Sequence, residues 1–401
     1  MIQGNAILVV DLGNSSTKCT VMFGKDPKTG LYRSKRFDLR NVFAPIEEGY
    51  QVSADYSTDT STIIHVETSL NGRDITGNFC NGELQMKEKP LSVIKPAAMD
   101  KKYNLDSTVL SIRLAFLYAC KTIMRMQRVY DYSQLDLDWS VVCLLPPGDI
   151  EVGKAPLVEI VKNVTEVNGV YPEVTIPIKV SKCAVLPEGM CAYVACVYDR
   201  GHVYRPDYKY LQDETVMIFD IGAGTTDCLL IKNGALVQNS KYTVTQGGNN
   251  VYQLVRRKLR MNGLDIDEDA LKQGIIDGKV KDGTKYVSIV DEVNSAKSEV
   301  AQKIIAEFQD FITVTDIKLR SVGYVLVCGG GSIDDGAEEI SPLSHKVIEN
   351  FKTLAPNSEL IPLPCHMVQK EDEDGVPVSV KEEISPRDLN LLGASILAEV
   401  I

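Results

Sequence analysis

Short apolar runs alternate with amphipathic segments along the whole chain. The runs at 6–10, 216–220 and 324–328 predict buried strands, because each is short and ends at a turn rich in glycine or small polar residues. At 106–128 apolar residues recur at helical spacing, which predicts a helix with one apolar face. Similar patterns predict strands at 19–23, 139–145 and 228–231, and a strand or hairpin at 175–185. They also predict helices at 155–163, 190–197 and 386–400, and a mostly helical region at 249–310. This alternation indicates an α/β protein with mixed sheets covered on both faces by helices.

The length of 401 residues suggests about two to three domains. Residues 25–100 are polar with short alternating segments, which predicts an inserted β-rich subdomain. We predict a first domain over 1–198 that contains this insert and is completed by a C-terminal helix at 385–401. The second domain is predicted over 199–384, with a mostly helical insert at 247–305.

Segments 9–19 and 218–228 repeat one pattern. Each consists of an apolar strand, an aspartate, a glycine, small polar residues and a second strand. The aspartates are Asp11 and Asp220, and a glycine, a hydroxyl-bearing residue, a threonine and a cysteine recur in register with them. Two copies of one hairpin predict two similar halves of the molecule.

The turn of each hairpin is a candidate phosphate site. An aspartate at the end of a buried strand costs desolvation energy unless it meets a cation or hydrogen-bond donors. Glycines let backbone amides approach a ligand, and several amides aimed at one point bind phosphate oxygens. One Asp-x-Gly turn alone is common, whereas two copies can hold the β- and γ-phosphates with magnesium between the aspartates. The candidate residues are Gly13, Asn14, Ser15, Ser16 and Thr17 in the first copy and Gly222, Ala223, Gly224, Thr225 and Thr226 in the second.

Two further motifs are candidates for the same chemistry. Gly329, Gly330 and Gly331 follow a buried strand and leave space where a nucleoside could lie against the backbone, or they form a flexible strand-to-helix turn. Glu188 lies in a Leu-Pro-Glu-Gly turn before a helix of small residues. A carboxylate held there can orient a water that attacks a γ-phosphate, or it can simply stabilise the helix N-terminus.

Residues 148–155 nearly match the phosphate loop Gly-x4-Gly-Lys-Ser/Thr. The match fails at Ala155, where magnesium needs a hydroxyl, and Pro156 follows at once. Asp149 and Glu151 would also place two negative charges in the cradle. We interpret the segment as a Pro/Gly connection; a phosphate-loop enzyme would instead depend on Lys154.

The order and spacing of these motifs resemble the actin/sugar-kinase/heat-shock ATPase superfamily. The motifs in chain order are Asp11-x-Gly13 with Lys18, Glu188, Asp220-x-Gly222-x-Gly224-Thr225-Thr226, and Gly329-Gly330-Gly331. The length and the Leu-Pro-Glu-Gly turn are most similar to the bacterial actin-like plasmid-segregation ATPases, the ParM group. The resemblance spans nearly the whole chain at the level of motifs, but the insert at 25–100 is not matched in detail. It implies an actin-like (ribonuclease H-like) fold of two similar mixed-sheet domains with a nucleotide cleft between them.

The resemblance also implies roles for single residues. Asp11 and Asp220 would organise Mg²⁺ through its bound waters, and Lys18 would reach the phosphates. Glu188 would place the attacking water, so that Glu188, Asp220 and Asp11 would be the catalytic residues. The implied cofactors are ATP or GTP with Mg²⁺.

The resemblance further implies a self-assembling filament protein. Gly329–331 would pack along the nucleoside, and the helix around 295–303 would lie on the other side of the base and ribose. Hydrolysis would loosen a filament whose protomers add head to tail, so that the chain's main partner would be itself. In a segregation system a DNA-bound adaptor protein would join the filament end.

Composition adds the expected location. Lys and Arg number 43 against 54 Asp and Glu, and the net charge of −11 argues against a protein that coats nucleic acid or anionic membrane. No secretory signal is predicted, and the ten cysteines, which include no Cys-x-x-Cys, are expected to be buried and reduced. The helix predicted at 386–400 lacks the basic residues that a membrane anchor needs. We therefore expect a cytoplasmic protein without direct contact to nucleic acid or membrane.

Other functional classes remain open. A sugar or acyl kinase of the same superfamily would share the hairpins but would need a base that faces a second substrate. A heat-shock-type chaperone would carry a further peptide-binding domain, for which we expect no room in this length. A nucleotide-dependent rise in light scattering would favour the filament, and a phosphorylated small molecule would favour the kinase.

Overall fold

The structure is a computed structural model and describes residues 1–47, 49–50, 61–82, 84, 93–97, 100–171, 173–315, 317–332, 336–371 and 377–401. The chain forms two compact units. Unit 1 comprises Met1–Glu188, Arg200–His202 and Ala394–Ile401, and unit 2 comprises Gly189–Asp199 and Val203–Gly393.

Among its described residues, unit 1 contains one mixed sheet, one antiparallel sheet and two helices of more than ten residues. Its elements are β1 (Ile2–Leu12), β2 (Ser16–Lys25), β3 (Tyr32–Arg40), β4 (Ala44–Ile46), β5 (Ser61–Leu70), β6 (Arg73–Gly82), α1 (Asp106–Gln127), β7 (Leu135–Leu145), α2 (Ile150–Lys162), β8 (Glu166–Tyr171), β9 (Glu173–Pro177) and β10 (Lys179–Pro187). The main sheet has the order β10-β7-β1-β2-β3, with β1 antiparallel to β2 and parallel to β7. The second sheet has the order β4-β6-β5-β8-β9.

Helix α1 is the central core helix of unit 1. It is buried on almost all sides rather than on one face, and of its residues Arg125 alone is exposed. Phe116 meets Trp139 of β7 edge to face, with ring centroids 5.4 Å apart. In the described part of the chain, α1 is the one helix long and apolar enough to cross a membrane, and 83% of its most apolar window is buried in the structure. A core helix of a water-soluble domain passes the same test.

Unit 2 contains one large sheet, three small two-stranded pairings and six helices among its described residues. Its elements are α3 (Met190–Val197), β11 (Tyr198–Asp199), β12 (Val203–Tyr204), β13 (Thr215–Ile221), β14 (Thr226–Lys232), β15 (Ala235–Leu236), β16 (Tyr242–Val244), α4 (Gly248–Met261), α5 (Glu268–Asp277), β17 (Lys279–Asp282), β18 (Lys285–Ser288), α6 (Val290–Thr315), β19 (Tyr324–Cys328), α7 (Leu343–Phe351), β20 (Glu359–Leu360), β21 (Cys365–Glu371), β22 (Pro377–Glu383) and α8 (Leu389–Ala398), whose last residues, from Ala394, lie in unit 1. The sheet has the order β15-β14-β13-β19-β20, and β16 pairs with β14.

Both faces of the unit 2 sheet are covered, because side chains alternate along β13. Phe219 faces one cluster, where it meets Phe308 of α6 and Phe351 of α7 edge to face. Ile218 faces the other cluster, which contains Ala192 of α3. Buried strands with helices on both sides confirm the predicted α/β class.

The two predicted hairpin copies have the same topology. In unit 1, β1 runs antiparallel to β2 and parallel to β7, and Asp11 lies level with Leu144. In unit 2, β13 runs antiparallel to β14 and parallel to β19, and Asp220 lies level with Cys328. The sequence repeat is therefore a structural repeat of a hairpin and a third, parallel strand.

Several element boundaries differ from the expectation. The units divide after Glu188 rather than near residue 198, because α3 packs with Ile218, Leu229 and Leu326 of unit 2. Strand β3 lies in the predicted insert but pairs with β2 of the main sheet. The other insert strands form a sheet with β8 and β9, which come much later in the chain.

One local interpretation was wrong. The segment at 148–155 is not a loop connection, because α2 begins at Ile150 and runs through it. The region at 249–310 is mostly helical, as predicted, although the hairpin β17–β18 interrupts it and α6 continues to Thr315. Glu299 of α6 forms a salt bridge with Lys258 of α4 at 2.5 Å. The charged run at 370–375, whose composition is typical of a solvated turn, lies largely outside the described residues.

Candidate functional site

The main sheet of unit 1 brings two candidate carboxylates to one edge. Strands β1, β7 and β10 are parallel, and Asp11 lies level with Leu144, which in turn lies level with Leu186. Glu188 follows directly after β10, and its backbone N–H donates to the carbonyl of Leu145 at 2.8 Å. Asp11 and Glu188 therefore both lie at the carboxyl ends of parallel strands, where ligands bind in open α/β sheets.

Asp11 is buried against a cation. Lys18 lies directly opposite it on β2, and its Nζ is 2.6 Å from Asp11 Oδ2. Asp11 is 4% exposed, so the lysine offsets the desolvation cost of the carboxylate. Lys18, which was predicted to reach the phosphates, thus forms an ion pair with the aspartate of its own hairpin.

The turn of the first hairpin is held from outside. Asn41 donates its side-chain amide to the carbonyl of Gly13 at 2.7 Å and its backbone N–H to the carbonyl of Ser15 at 3.2 Å. Ser111 of α1 donates to Asn41 Oδ1 at 3.0 Å. A Cβ on Gly13 would lie 2.5 Å from the Ser16 carbonyl oxygen, so that the turn requires glycine there. Asn14 and Ser16 are half-buried, Ser15 is exposed and Thr17 is fully buried.

The turn of the second hairpin is held by the first turn of α4. The N–H of Gly248 donates to the carbonyl of Gly222 at 3.0 Å, and the N–H of Asn249 donates to the carbonyl of Ala223 at 2.6 Å. The hydroxyl of Thr226, which is fully buried, donates to the carbonyl of Gln246 at 2.8 Å. Ala223, Gly224 and Thr225 are half-buried. The backbone N–H groups at the start of α4 therefore fix the turn by donating to the carbonyls of the turn.

The second hairpin carries two buried carboxylates instead of an aspartate and a lysine. Asp227 lies opposite Asp220, and the two are 6% and 7% exposed. Asp227 Oδ1 accepts the hydroxyl of Thr243 at 2.5 Å. Asp220 Oδ2 accepts the side-chain amide of Asn390 at 2.5 Å. Thr243 and Asn390 therefore each donate a hydrogen bond to one of these two carboxylates.

The glycine run after β19 packs against this hairpin. A Cβ on Gly329, whose φ is +90°, would lie 2.4 Å from Asp220 Oδ1. A Cβ on Gly331 would lie 2.6 Å from the Gly222 carbonyl oxygen. Gly330 is exposed, and the nearest atom to a Cβ added there would be Cγ of Arg387, at 3.8 Å. Close backbone approach thus accounts for two of the three glycines, and Gly330 is the one that faces outward.

Glu188 is buried beside a lysine that the sequence did not indicate. Its Oε1 is 2.7 Å from the Nζ of Lys102, and the two side chains are 10% and 13% exposed. The neighbouring Lys101 pairs with buried Asp149 at 2.6 Å. Two lysines in sequence therefore bind two separate carboxylates of unit 1. No sequence pattern could have found Lys102, because its partner is 86 residues away.

Cysteines at equivalent positions of the two hairpins are inert. Burial, followed by the charges of Asp38 and Asp11, raises the pKa of Cys19 well above its usual value. Burial, followed by the charges of Asp227, Glu307 and Asp220, does the same to the pKa of Cys228. Both thiols stay protonated at neutral pH and pack as apolar side chains.

The near-match to a phosphate loop has no loop geometry. Gly153 is buried inside α2, and a Cβ there would lie 2.3 Å from Tyr103. Lys154 is exposed on the helix. Within the described residues, no group of three or more His, Cys, Asp or Glu side chains converges as a metal site would require.

Comparisons with known proteins agree with this architecture. A model of the C-terminal part of archaeal MreB-like actin homologues matches residues 218–336, which include the second hairpin and the glycine run. No curated protein matches the chain by sequence.

Solved actin-like proteins superpose over almost the entire chain. ParM from Bacillus thuringiensis with ATP is 15% identical, with 99% of this chain and 98% of that chain covered and a TM-score of 0.60. An archaeal actin homologue in complex with ADP is 16% identical, with 98% and 99% covered and a TM-score of 0.60. A 15-stranded ParM filament from Clostridium botulinum is 15% identical, with 99% of each chain covered and a TM-score of 0.57. The chain therefore has the actin-like fold of ParM-type proteins, as its motifs predicted.

Proposed function

We propose that this chain binds ATP with Mg²⁺, hydrolyses it and assembles into filaments under the control of that cycle. The observation that carries the proposal is the pair of equivalent hairpins. Each ends its first strand in a buried aspartate, Asp11 or Asp220, next to a parallel third strand. The repeated use of one phosphate-binding element would account for a buried carboxylate at the same position of both halves.

The residues present fit a magnesium-bound nucleotide. Carboxylate oxygens are ligands that Mg²⁺ prefers, directly or through water, and Asp11 and Asp220 supply them at strand ends. Gly13 and Gly331 let the backbone of each turn pack tightly, and Gly330, which is exposed, leaves backbone that a ligand can approach. A bound Mg²⁺ neutralises the charge that develops on the phosphate oxygens.

The side chains have separate tasks in this proposal. Lys18 exchanges part of its interaction with Asp11 for the phosphate oxygens, which moves positive charge toward the nucleotide. Glu188 accepts a hydrogen bond from the attacking water and orients it. Lys102 holds the Glu188 carboxylate in one direction through their 2.7 Å contact.

Assembly is the larger part of the proposal. A head-to-tail contact that does not close on itself makes a filament from one interface, and nucleotide binding can control such a contact. The Clostridium botulinum ParM with this fold forms a filament, and the Bacillus thuringiensis ParM was solved with ATP. We further propose a cytoplasmic role in moving or segregating plasmid DNA through an adaptor protein, without direct contact to nucleic acid or membrane.

Right-angle light scattering with pelleting tests the proposal. The chain is mixed with Mg²⁺ and ATP, GTP, a non-hydrolysable ATP analogue or no nucleotide. We expect scattering to rise with ATP and decay as ATP is consumed, and to persist with the analogue. If GTP gives this response and ATP does not, the proposed nucleotide changes but the proposed filament stands.

The same experiment identifies the main competitor. Flat scattering together with measurable ATP turnover would contradict the filament and indicate a soluble small-molecule kinase of this fold. Flat scattering without nucleotide binding would contradict the whole proposal.

A further inference from the structure

Asn390 is a buried amide at the start of a mostly apolar helix. It is the second residue of α8 and is 6% exposed, and its neighbours Leu389 and Leu391 are also buried. Burying an amide costs free energy unless its donor and acceptor are both satisfied. A leucine would pack there without that cost, so the amide needs another reason.

Both ends of the Asn390 amide are hydrogen-bonded within unit 2. Its Oδ1 accepts the backbone N–H of Gly189 at 2.7 Å. Its Nδ2 donates to Asp220 Oδ2 at 2.5 Å. Since a backbone N–H can only donate and an ionised carboxylate can only accept, these partners determine which way the amide faces.

The two partners of Asn390 cannot move easily. Asp220 Oδ1 packs closely against Gly329, because a Cβ added to that glycine would lie 2.4 Å from it. The backbone at Gly329 therefore restricts the movement of the Asp220 carboxylate. Gly189 has a φ of +70°, and a Cβ on it would lie 2.4 Å from Leu229. One side chain therefore connects two rigid points that are distant in sequence.

We infer that Asn390 is a positioning residue for nucleotide hydrolysis. It sets the direction of the Asp220 carboxylate and holds the peptide bond that joins Glu188 to Gly189. The side-chain amide of Asn390 thus links Asp220, which is proposed to organise the metal, to the peptide that follows Glu188, which is proposed to place the water. This inference rests on the proposed ATP hydrolysis and adds a residue that touches neither nucleotide nor metal.

The test replaces Asn390 by a residue of the same shape. Asn390→Asp keeps an oxygen to accept the Gly189 N–H, but it removes the donor to Asp220 and places a like charge beside it. Asn390→Ala removes both bonds. The matched control is Asn81→Asp, because Asn81 is 4% exposed and donates its side-chain amide to the carbonyls of Arg40 and Val42.

Three quantities are measured on the full chain: the stoichiometry of a fluorescent ATP analogue, kcat per binding site, and KM for Mg²⁺·ATP. For Asn390→Asp we expect kcat per site to fall by about 10- to 100-fold, which is usual when an outer partner of a ligating side chain is lost. KM should change less than about threefold, because the hairpin backbone is untouched. Asn390→Ala should behave alike, and Asn81→Asp should keep kcat per site.

The outcomes separate this inference from the function beneath it. If both Asn390 variants lose binding stoichiometry while kcat per remaining site stays normal, the role is structural and the inference is overturned. An Asn390→Asp protein with kcat within about twofold of wild type overturns it as well. A wild-type chain that assembles or binds nucleotide without hydrolysing it overturns the proposed hydrolysis, and this inference with it.

Discussion

At the scale of single residues, two of the three candidate carboxylates are buried beside a lysine and the third beside an amide. Asp11 meets Lys18, Glu188 meets Lys102 and Asp220 meets the side-chain amide of Asn390. The two oxygens of a carboxylate can accept several hydrogen bonds, so one lysine does not use up their capacity. In the proposed function, Glu188 uses this capacity to orient a water molecule.

We predict that Glu188→Gln separates binding from hydrolysis. The substitution keeps the shape and removes the charge that accepts a proton from the attacking water. Turnover should fall at least about a hundredfold, while the Kd for ATP stays within about threefold. Single-turnover hydrolysis and nucleotide titration measure the two quantities.

The control for this prediction is Lys154→Ala. Lys154 is exposed on α2, so its loss should leave turnover within about twofold. Loss of binding together with turnover in Glu188→Gln would count against the role of Glu188. Abolished turnover in Lys154→Ala would restore the phosphate-loop interpretation.

At the scale of elements, glycines allow strands and turns to approach closely. The run after β19 lies against the β13–β14 hairpin, where Gly329 and Gly331 have no room for a side chain. On α8, a Cβ on Gly393 would lie 1.7 Å from the carbonyl oxygen of Cys191 on α3. The glycines at 329 and 331 therefore hold the hairpin against the run through backbone packing, and Gly393 lets α8 approach α3.

We predict that Gly329→Ala destabilises the protein by about 3 kcal/mol, because strain at a positive φ adds to a clash with backbone and with Asp220. The matched control is Gly263→Ala, where φ is +82° and nothing lies within 4 Å of the added Cβ. That variant should lose only about 1 kcal/mol, the cost of the backbone conformation alone. Thermal unfolding of the two variants gives the difference, and equal losses would contradict the packing role of Gly329.

At the scale of the whole molecule, the repeat gives each unit one copy of the same candidate phosphate-binding hairpin. Equivalent strands pair in the same register around Asp11 in unit 1 and Asp220 in unit 2. The copies differ opposite the aspartate, where the first has Lys18 and the second has Asp227. In the proposed function, the first hairpin would therefore supply a cation for phosphate, and the second would supply extra negative charge for a metal's waters.

We predict that both hairpins are required for assembly. Asp11→Ala and Asp220→Ala should each abolish the ATP-dependent rise in light scattering, although the residues belong to different units. The controls are Asp74→Ala in unit 1 and Asp310→Ala in unit 2, which remove exposed aspartates. Normal assembly by either hairpin variant would show that one copy of the repeat is only structural.

Much of the fold could be read from the sequence because it is encoded locally. The helix at 190–197 and the strand at 324–328 were predicted with their observed bounds, since apolar periodicity and flanking turns define them. The hairpin β17–β18 was missed because Val280 is buried there while most of its neighbours are charged and exposed. Its Asp282-Gly283 turn was the available signal.

The sequence by itself determined the α/β class, the repeated hairpin and the residues at the ends of its strands, because turn chemistry and side-chain alternation depend on neighbours in the chain. It also contained the order of motifs from which the actin-like fold was recognised. Only the tertiary structure decided which charges meet, including Lys102 with Glu188 and Asn390 with Asp220. Those partners lie far apart in the chain, and a buried carboxylate accepts whichever donor the packing of distant elements brings to it.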